Sequence, residues 1–385
     1  MSKFSNRNLE PDNRRSESAL RYHAHSAAVR IFVAVVAALA SLACSEAPFV
    51  RVTPAGTAMP AATTTAASAS ASAPAPARSI RIAFVGDLMF ARDVTTRMQQ
   101  EGVQYPFERV RPLWADADLV VGNLEGTYTS RGTALAKEYT FRTPSALAAA
   151  LTAGGFHAVS LANNHTFDFG TVGLEDTLAT LRTKGVALFG AGLDETAAVS
   201  PLLVRTPSGL RVAFLGFDDI GEVQFASQTE PGVARADVSR IESAVRRAAA
   251  DADFVVVVMH WGLEYRSEPT ARQRLLAQAA VDAGACVVVG AHPHVLQPWE
   301  RFGRAVVLFS LGNFVFDLKP GDVDWLGPGP FQTTVAVLTL SLDTSPAVAF
   351  RPVMIDPAEN RPRPATAAEA ASILAQLEPA GPVGR

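Results

Sequence analysis

A chain of 385 residues with 48% hydrophobic side chains carries enough apolar material for one large α/β domain or two smaller ones. Its 34 lysines and arginines against 37 aspartates and glutamates leave a net charge of −3, which builds no field for polyanions and argues against nucleic acid as a partner. The two cysteines, Cys44 and Cys286, sit in unlike settings, so no disulfide is expected.

In chain order, the first element is an export signal. After arginine-bearing residues ending at Arg30, IFVAVVAALASLA forms a 13-residue apolar core from Ile31 to Ala43, short of the roughly 20 residues that a membrane-spanning helix needs. Small residues precede Cys44, as at a bacterial lipoprotein cleavage site, although Ser41 stands where leucine is usual. Residues 1–44 are thus expected to be a lipoprotein leader, a cleaved signal peptide or an uncleaved anchor, and the protein to be extracytoplasmic, membrane-anchored or secreted. Residues 45–79, dominated by Ala, Ser, Thr and Pro, are too poor in large apolar side chains to offset the entropy of ordering and form a disordered tether.

Between residues 80 and 356, seven apolar runs recur: IRIAFVGD, LVVGNLEG, AVSLANNH, RVAFLGFDD, FVVVVMHWG, CVVVGAHPH and AVVLFSLGN. Runs rich in Val, Ile and Phe without polar alternation suit strands buried on both faces. Helix patterns lie between them, in SALAAALTAGG, GLEDTLATLRTKG, DVSRIESAVRRAAADA and EPTARQRLLAQAAVDAG, the last opening on Glu and Pro and closing at Gly. The fold class is α/β in layers. Residues 357–385 begin as a Pro/Arg-rich tail and hold one short amphipathic helix in ATAAEAASILAQLE.

Six of these runs stop at residues that bind metals or carry protons: Asp87, Glu125, Asn164 with His165, His260, His292 with His294, and Asn313. Each alone reads equally well as a turn, a helix cap or a loop histidine. Together they fit one rim, since ligands of open α/β sheets gather outside the carboxyl ends of the strands. His157, which precedes its strand, is expected to be structural, and Cys286 to be a small core residue.

The stretches FVGDLMFAR, VVGNLEG, SLANNHTFDFG, VVVMHWGLEY, VVVGAHPHVLQPWE and FSLGNFVFD, in this order, resemble the bacterial capsule-synthesis CapA family, the poly-γ-glutamate biosynthesis domain. That family is itself similar to calcineurin-like metallophosphoesterases. The resemblance implies a four-layer α/β/β/α sandwich with a two-metal site. It implies that Asp87, Glu125 and His294 hold a first ion, that Glu125, Asn164, His260 and His292 hold a second, and that His165 is free for chemistry. Carboxylate, amide and imidazole donors suit Zn²⁺, Mn²⁺ or Fe.

Several residues are expected to support such a site. Asp168 either orients His165 or caps the helix near Gly170. Arg92, Glu264 and Asn313 lie just past the motif strands and are candidates for substrate contact. One departure matters: phosphoesterases of this type carry D-x-H on the first strand, whereas GDLM places Met89 at the second ligand position. A thioether is a poor ligand for these ions beside carboxylates. The expectation is therefore one tightly held ion in the second set and a weak first set.

Two function classes follow. One is a metal-dependent hydrolase acting on a phosphoester, related to capsule or not, or on an amide of an anionic polymer. The other is an accessory protein for synthesis, export or anchoring of poly-γ-glutamate or a related capsule, working beside synthase and export proteins.

Overall fold

Ser79–Leu88 (β1) is a ten-residue strand whose side chains are all buried from Ile82 onward. Ile80, Ile82 and Phe84 face one apolar cluster and Ala83 and Val85 another, which is why the sequence shows no polar alternation. The computed structural model describes residues 50–51, 79–319, 321–322 and 326–378. The leader, and all but residues 50–51 and 79 of the proposed tether, lie outside the described residues.

After β1 come α1 (Arg92–Glu101), β2 (Leu119–Leu124), β3 (Ala158–Ser160), α2 (Gly170–Thr183) and β4 (Ala187–Phe189). The second half runs β5 (Leu202–Arg205), β6 (Arg211–Asp218), α3 (Val238–Asp251), β7 (Phe254–His260), α4 (Ala271–Asp282), β8 (Val287–Ala291), β9 (Leu296–Phe302) and β10 (Ala305–Leu311). Then follow β11 (Asn313–Val315), β12 (Gln332–Ser341), β13 (Ala347–Asp356), β14 (Arg361–Pro364) and α5 (Ala367–Leu377). The helix expected to open on Glu and Pro instead starts after Thr270, whose side chain and that of Gln273 form a capping box.

Among the described residues, one sheet runs β14-β13-β12-β1-β2-β3-β4, with β11 also pairing β1. The other runs β5-β6-β7-β8-β10-β9, with Val50–Arg51 pairing the β5 edge. In both, the central strands are parallel: β1 through β4 in the first, and β6, β7, β8 and β10 in the second. Their carboxyl ends therefore share one rim in each sheet.

The sheets pack face to face. Phe84, Val121 and Leu338 of one share a buried cluster with Phe214, Val256 and Leu308 of the other, and the Phe84 and Phe214 rings lie 6.5 Å apart. On the outer faces, α1 and α2 cover the first sheet through Val94, Leu174 and Leu178, while α3 and α4 cover the second through Ile241, Val245 and Leu276. The protein is a four-layer α/β/β/α sandwich. Among the described residues, no helix is long and apolar enough to cross a membrane.

Beyond Asp356 the expected short helix is present as α5, but the Pro/Arg-rich start ahead of it forms a strand. β14 pairs antiparallel with β13, and α5 buries Ile373 and Leu377 against Leu296. Alternating Pro and Arg concealed an edge strand, one of the sheet positions where a proline without an N–H is tolerated.

Candidate metal centre

Asp87, near the end of β1, is fully buried, and both of its oxygens are engaged. Oδ1 accepts the Asn123 amide at 2.8 Å, and Oδ2 accepts the His292 N–H at 3.2 Å. Glu125, just past β2, is 1% exposed, yet neither carboxylate oxygen has a hydrogen-bond partner. Two imidazole nitrogens approach its Oε1: His294 Nε2 at 3.7 Å and His165 Nε2 at 3.8 Å.

The loop after β3 is pinned by an asparagine. Asn163 donates to Asn123 Oδ1 and Leu124 O, and its own Oδ1 accepts the His165 N–H and the Thr166 hydroxyl. This fixes the next two side chains. Asn164 Oδ1 lies 3.0 Å from His260 Nε2. His165 Nδ1 lies 2.8 Å from Asp168 Oδ2, with the Phe141 ring stacked on the imidazole at 4.1 Å. Asp168 also accepts the Phe141 N–H and Lys137 Nζ. Of its two expected roles it takes the first, because the cap position of α2 is Phe169 and carries no side-chain cap.

The third part of the site is the turn after β8. His292 and His294 adopt φ of 92° and 57°, values uncommon for residues other than glycine and typical of functional turns. The His292 ring lies 4.8 Å from that of His260 and 5.6 Å from that of His294. Asp87, Glu125 and His294 bring ligand atoms within 4.8 Å of one another, and Glu264, His292 and His294 form a second such group.

Asn313 serves differently from the substrate contact expected of it. It is 1% exposed: Oδ1 lies 2.8 Å from His294 Nδ1, and its amide nitrogen donates to His294 O and Pro330 O. With these atoms spent, it orients His294 and leaves Nε2 of that ring turned to Glu125. Arg92 holds Asp317 at 3.2 Å and stacks over Phe141 at 5.0 Å, while Glu264 is exposed. His157 Nδ1 accepts the Val120 N–H, a structural bond. Met89 has its sulfur taken by the Ala91 N–H at 3.1 Å and packs with Phe141 and Phe316.

Asn123, Asn163 and Lys137 were absent from the expected set. The asparagines are visible in GNLEG and ANNH as amides beside the chosen residues. Lys137 donates to the Asn164 carbonyl from 27 positions upstream and carries no motif.

Burial dominates the electrostatics. It pushes His260 and His292 well below the ordinary imidazole range and lowers His165, the last opposed by Asp168. Neutral imidazole is the form that ligates metals. Burial also drives Glu125 toward its protonated form. It works against charge on His294 too, but there Glu125 and Asp87 more than offset it and raise the imidazole.

A carboxylate with two unpartnered buried oxygens is costly to maintain unless a cation lies against it. His292 Nδ1 is likewise buried without a partner. With carboxylate, amide and imidazole donors on one rim, the residues fit a divalent cation of the Zn²⁺, Mn²⁺ or Fe type.

The fold and this donor set define an α/β/β/α protein with a candidate divalent-metal centre. Residues 81–318 match the family of bacterial capsule synthesis proteins PGA_cap, and the chain belongs to that family. It is 38% identical over 238 residues to the PGA biosynthesis protein CapA of Bacillus subtilis, covering 61% of this chain and 63% of that protein. Against the capsule biosynthesis protein CapA of Bacillus anthracis it is 35% identical over 254 residues, covering 62% and 60%. A probable polyglutamine synthesis accessory protein of Mycobacterium tuberculosis is 32% identical over 216 residues, covering 52% and 56%. The chain thus spans less than two thirds of the length of each relative.

Proposed function

We propose that the protein acts outside the cytoplasm in the synthesis, export or anchoring of an anionic capsule polymer of the poly-γ-glutamate type, and that its rim is a metal-dependent hydrolase site. The observation that carries the site is Glu125, fully buried with both oxygens unpartnered between two imidazoles. Asp87, Glu125 and His294 would hold one ion, and Glu125, Asn164, His260 and His292 another. A bound ion supplies Lewis acidity toward a carbonyl or phosphoryl oxygen and makes a nearby water easier to deprotonate.

His165 then moves the proton. Its Nδ1 is fixed on Asp168, so Nε2 is the nitrogen left to serve a leaving group. Hydrolysis of a γ-amide adds water across the C–N bond: Nε2 of the neutral His165 would take a proton from the attacking water and pass it to the departing amine as the C–N bond breaks. Arg92, beside Phe141 at the rim, holds Asp317 through Nε and would offer the rest of its guanidinium to a polymer carboxylate. Extracytoplasmic placement rests on the apolar core from Ile31 to Ala43 and on Cys44.

The test is incubation of the purified protein, supplied with Mn²⁺ or Zn²⁺, with poly-γ-glutamate. Chain shortening with release of new amines is expected. No cleavage of the polymer, of γ-glutamyl peptides or of phosphoesters would overturn the hydrolase reading. The mycobacterial relative is named as a probable accessory protein, which favours a second reading: this chain binds polymer without cutting it. Polymer binding without cleavage would put it first. Intact mass of the membrane fraction tests placement: a diacylated chain beginning at Cys44 is expected, and a full-length cytosolic chain retaining Met1 would overturn it.

A further inference from the structure

The loop after β7 carries a carboxylate that neither proposed ligand set contains. Glu264, in HWGLEY, brings an oxygen within 4.8 Å of one ring nitrogen each of His292 and His294. A second observation points to a ligand there: His292 is 4% exposed, and its Nδ1 has no hydrogen-bond partner. The loops that bear these residues are tied together, since the Tyr265 N–H donates to Pro293 O at 2.8 Å. Both loops also depart from ordinary backbone, with φ of 90° at Gly262 and 59° at Tyr265 facing 92° and 57° at His292 and His294. Left-handed conformations on both sides of one contact mark a turn pair shaped to place side chains.

We propose that Glu264 is a metal ligand of this centre, acting with His292 from the solvent side. The proposal rests on the metal-site reading above and names a donor that reading lacks. Nδ1 of His294 is held by Asn313 and its Nε2 faces Glu125, so His292 is the imidazole that remains for Glu264. A carboxylate arriving from an exposed loop adds an anionic donor to a centre from which the sulfur of Met89 is withdrawn into a contact with Ala91.

The experiment is calorimetric titration of the whole protein with Mn²⁺ alone, comparing wild type, Glu264→Gln, Glu268→Gln and Asp87→Asn. Glu268 is an exposed acid of the same loop and serves as the charge control. Glu264→Gln is expected to weaken Mn²⁺ binding about tenfold or more, with metal-free thermal unfolding unchanged, while Glu268→Gln binds as wild type. Wild-type affinity in Glu264→Gln, with binding lost in Asp87→Asn, would overturn this inference and leave the metal reading standing. Equal weakening in Glu268→Gln would overturn it as a general charge effect. No Mn²⁺ binding by the wild type would overturn the metal reading and this inference together.

Discussion

Nδ1 of His165 lies 2.8 Å from Oδ2 of Asp168, while Oδ1 of the same carboxylate takes Lys137 Nζ at 3.0 Å. The carboxylate thus fixes which imidazole nitrogen faces Glu125. In assays of polymer or ester hydrolysis, His165→Ala is expected to lower kcat about 100-fold or more, while bound metal and thermal midpoint hold. Asp168→Asn should cost about 10–100-fold, mainly in kcat, because it loosens the ring without removing it. Unchanged turnover in His165→Ala would make the histidine structural.

Met89 tests how the site is divided between ions. Its thioether accepts the Ala91 N–H and packs beside Phe141 and Phe316, so the first set keeps Asp87, Glu125 and His294. Metal analysis of dialysed wild type should give nearer one equivalent than two. Met89→His, which supplies an imidazole at that position, should raise the count toward two. Two equally tight equivalents in the wild type would contradict the division.

How much of this was legible depended on what each residue type can signal. Strands buried on both faces announce themselves as unbroken apolar runs, and a polar residue ending such a run stands out, as Asp87, His260 and His292 do. Roles decided by hydrogen bonding across the fold carry no such mark. Asn313 ends β10's run as visibly as the others, but its use as a clamp on His294 depends on a turn 19 residues upstream. Lys137 and β14 were invisible for the same reason: their partners, the loop after β3 and β13, are set by tertiary contact rather than local pattern.

Gly290 shows the close packing that holds the histidine turn. A Cβ there would lie 1.9 Å from Phe309 O and 2.4 Å from Trp261 Nε1, two atoms hydrogen-bonded to each other at 2.9 Å. Backbone cannot yield as a flexible side chain does. Gly290→Ala should therefore destabilise by about 3 kcal/mol or more, and weaken metal binding because His260 and Trp261 are neighbours. A thermal midpoint within 2 °C of wild type, roughly the shift that about 1 kcal/mol would produce in a domain of this size, would show that the strands relax freely.

The C-terminal helix gives the pH dependence. Glu369 is held at about 2, first by its paired hydrogen bonds from Arg363 at 2.7 and 2.8 Å, against burial and with help from the Thr366 N–H. Its folded value lies below its ordinary one of 4.5, so the unfolded segment takes up a proton first as pH falls. The contribution is fully present above the ordinary carboxylate value and is lost as pH drops toward about 2. With both side chains partly exposed, solvent screening limits it to about 1 kcal/mol. Hydrogen-exchange protection of Ala367–Leu377, corrected for intrinsic rates, should be flat from pH 7 to pH 5 and fall between pH 4 and pH 2.5. Arg363→Ala should remove most of that fall while lowering protection at pH 7. An acid loss of equal size in Arg363→Ala would place its origin elsewhere in the protein.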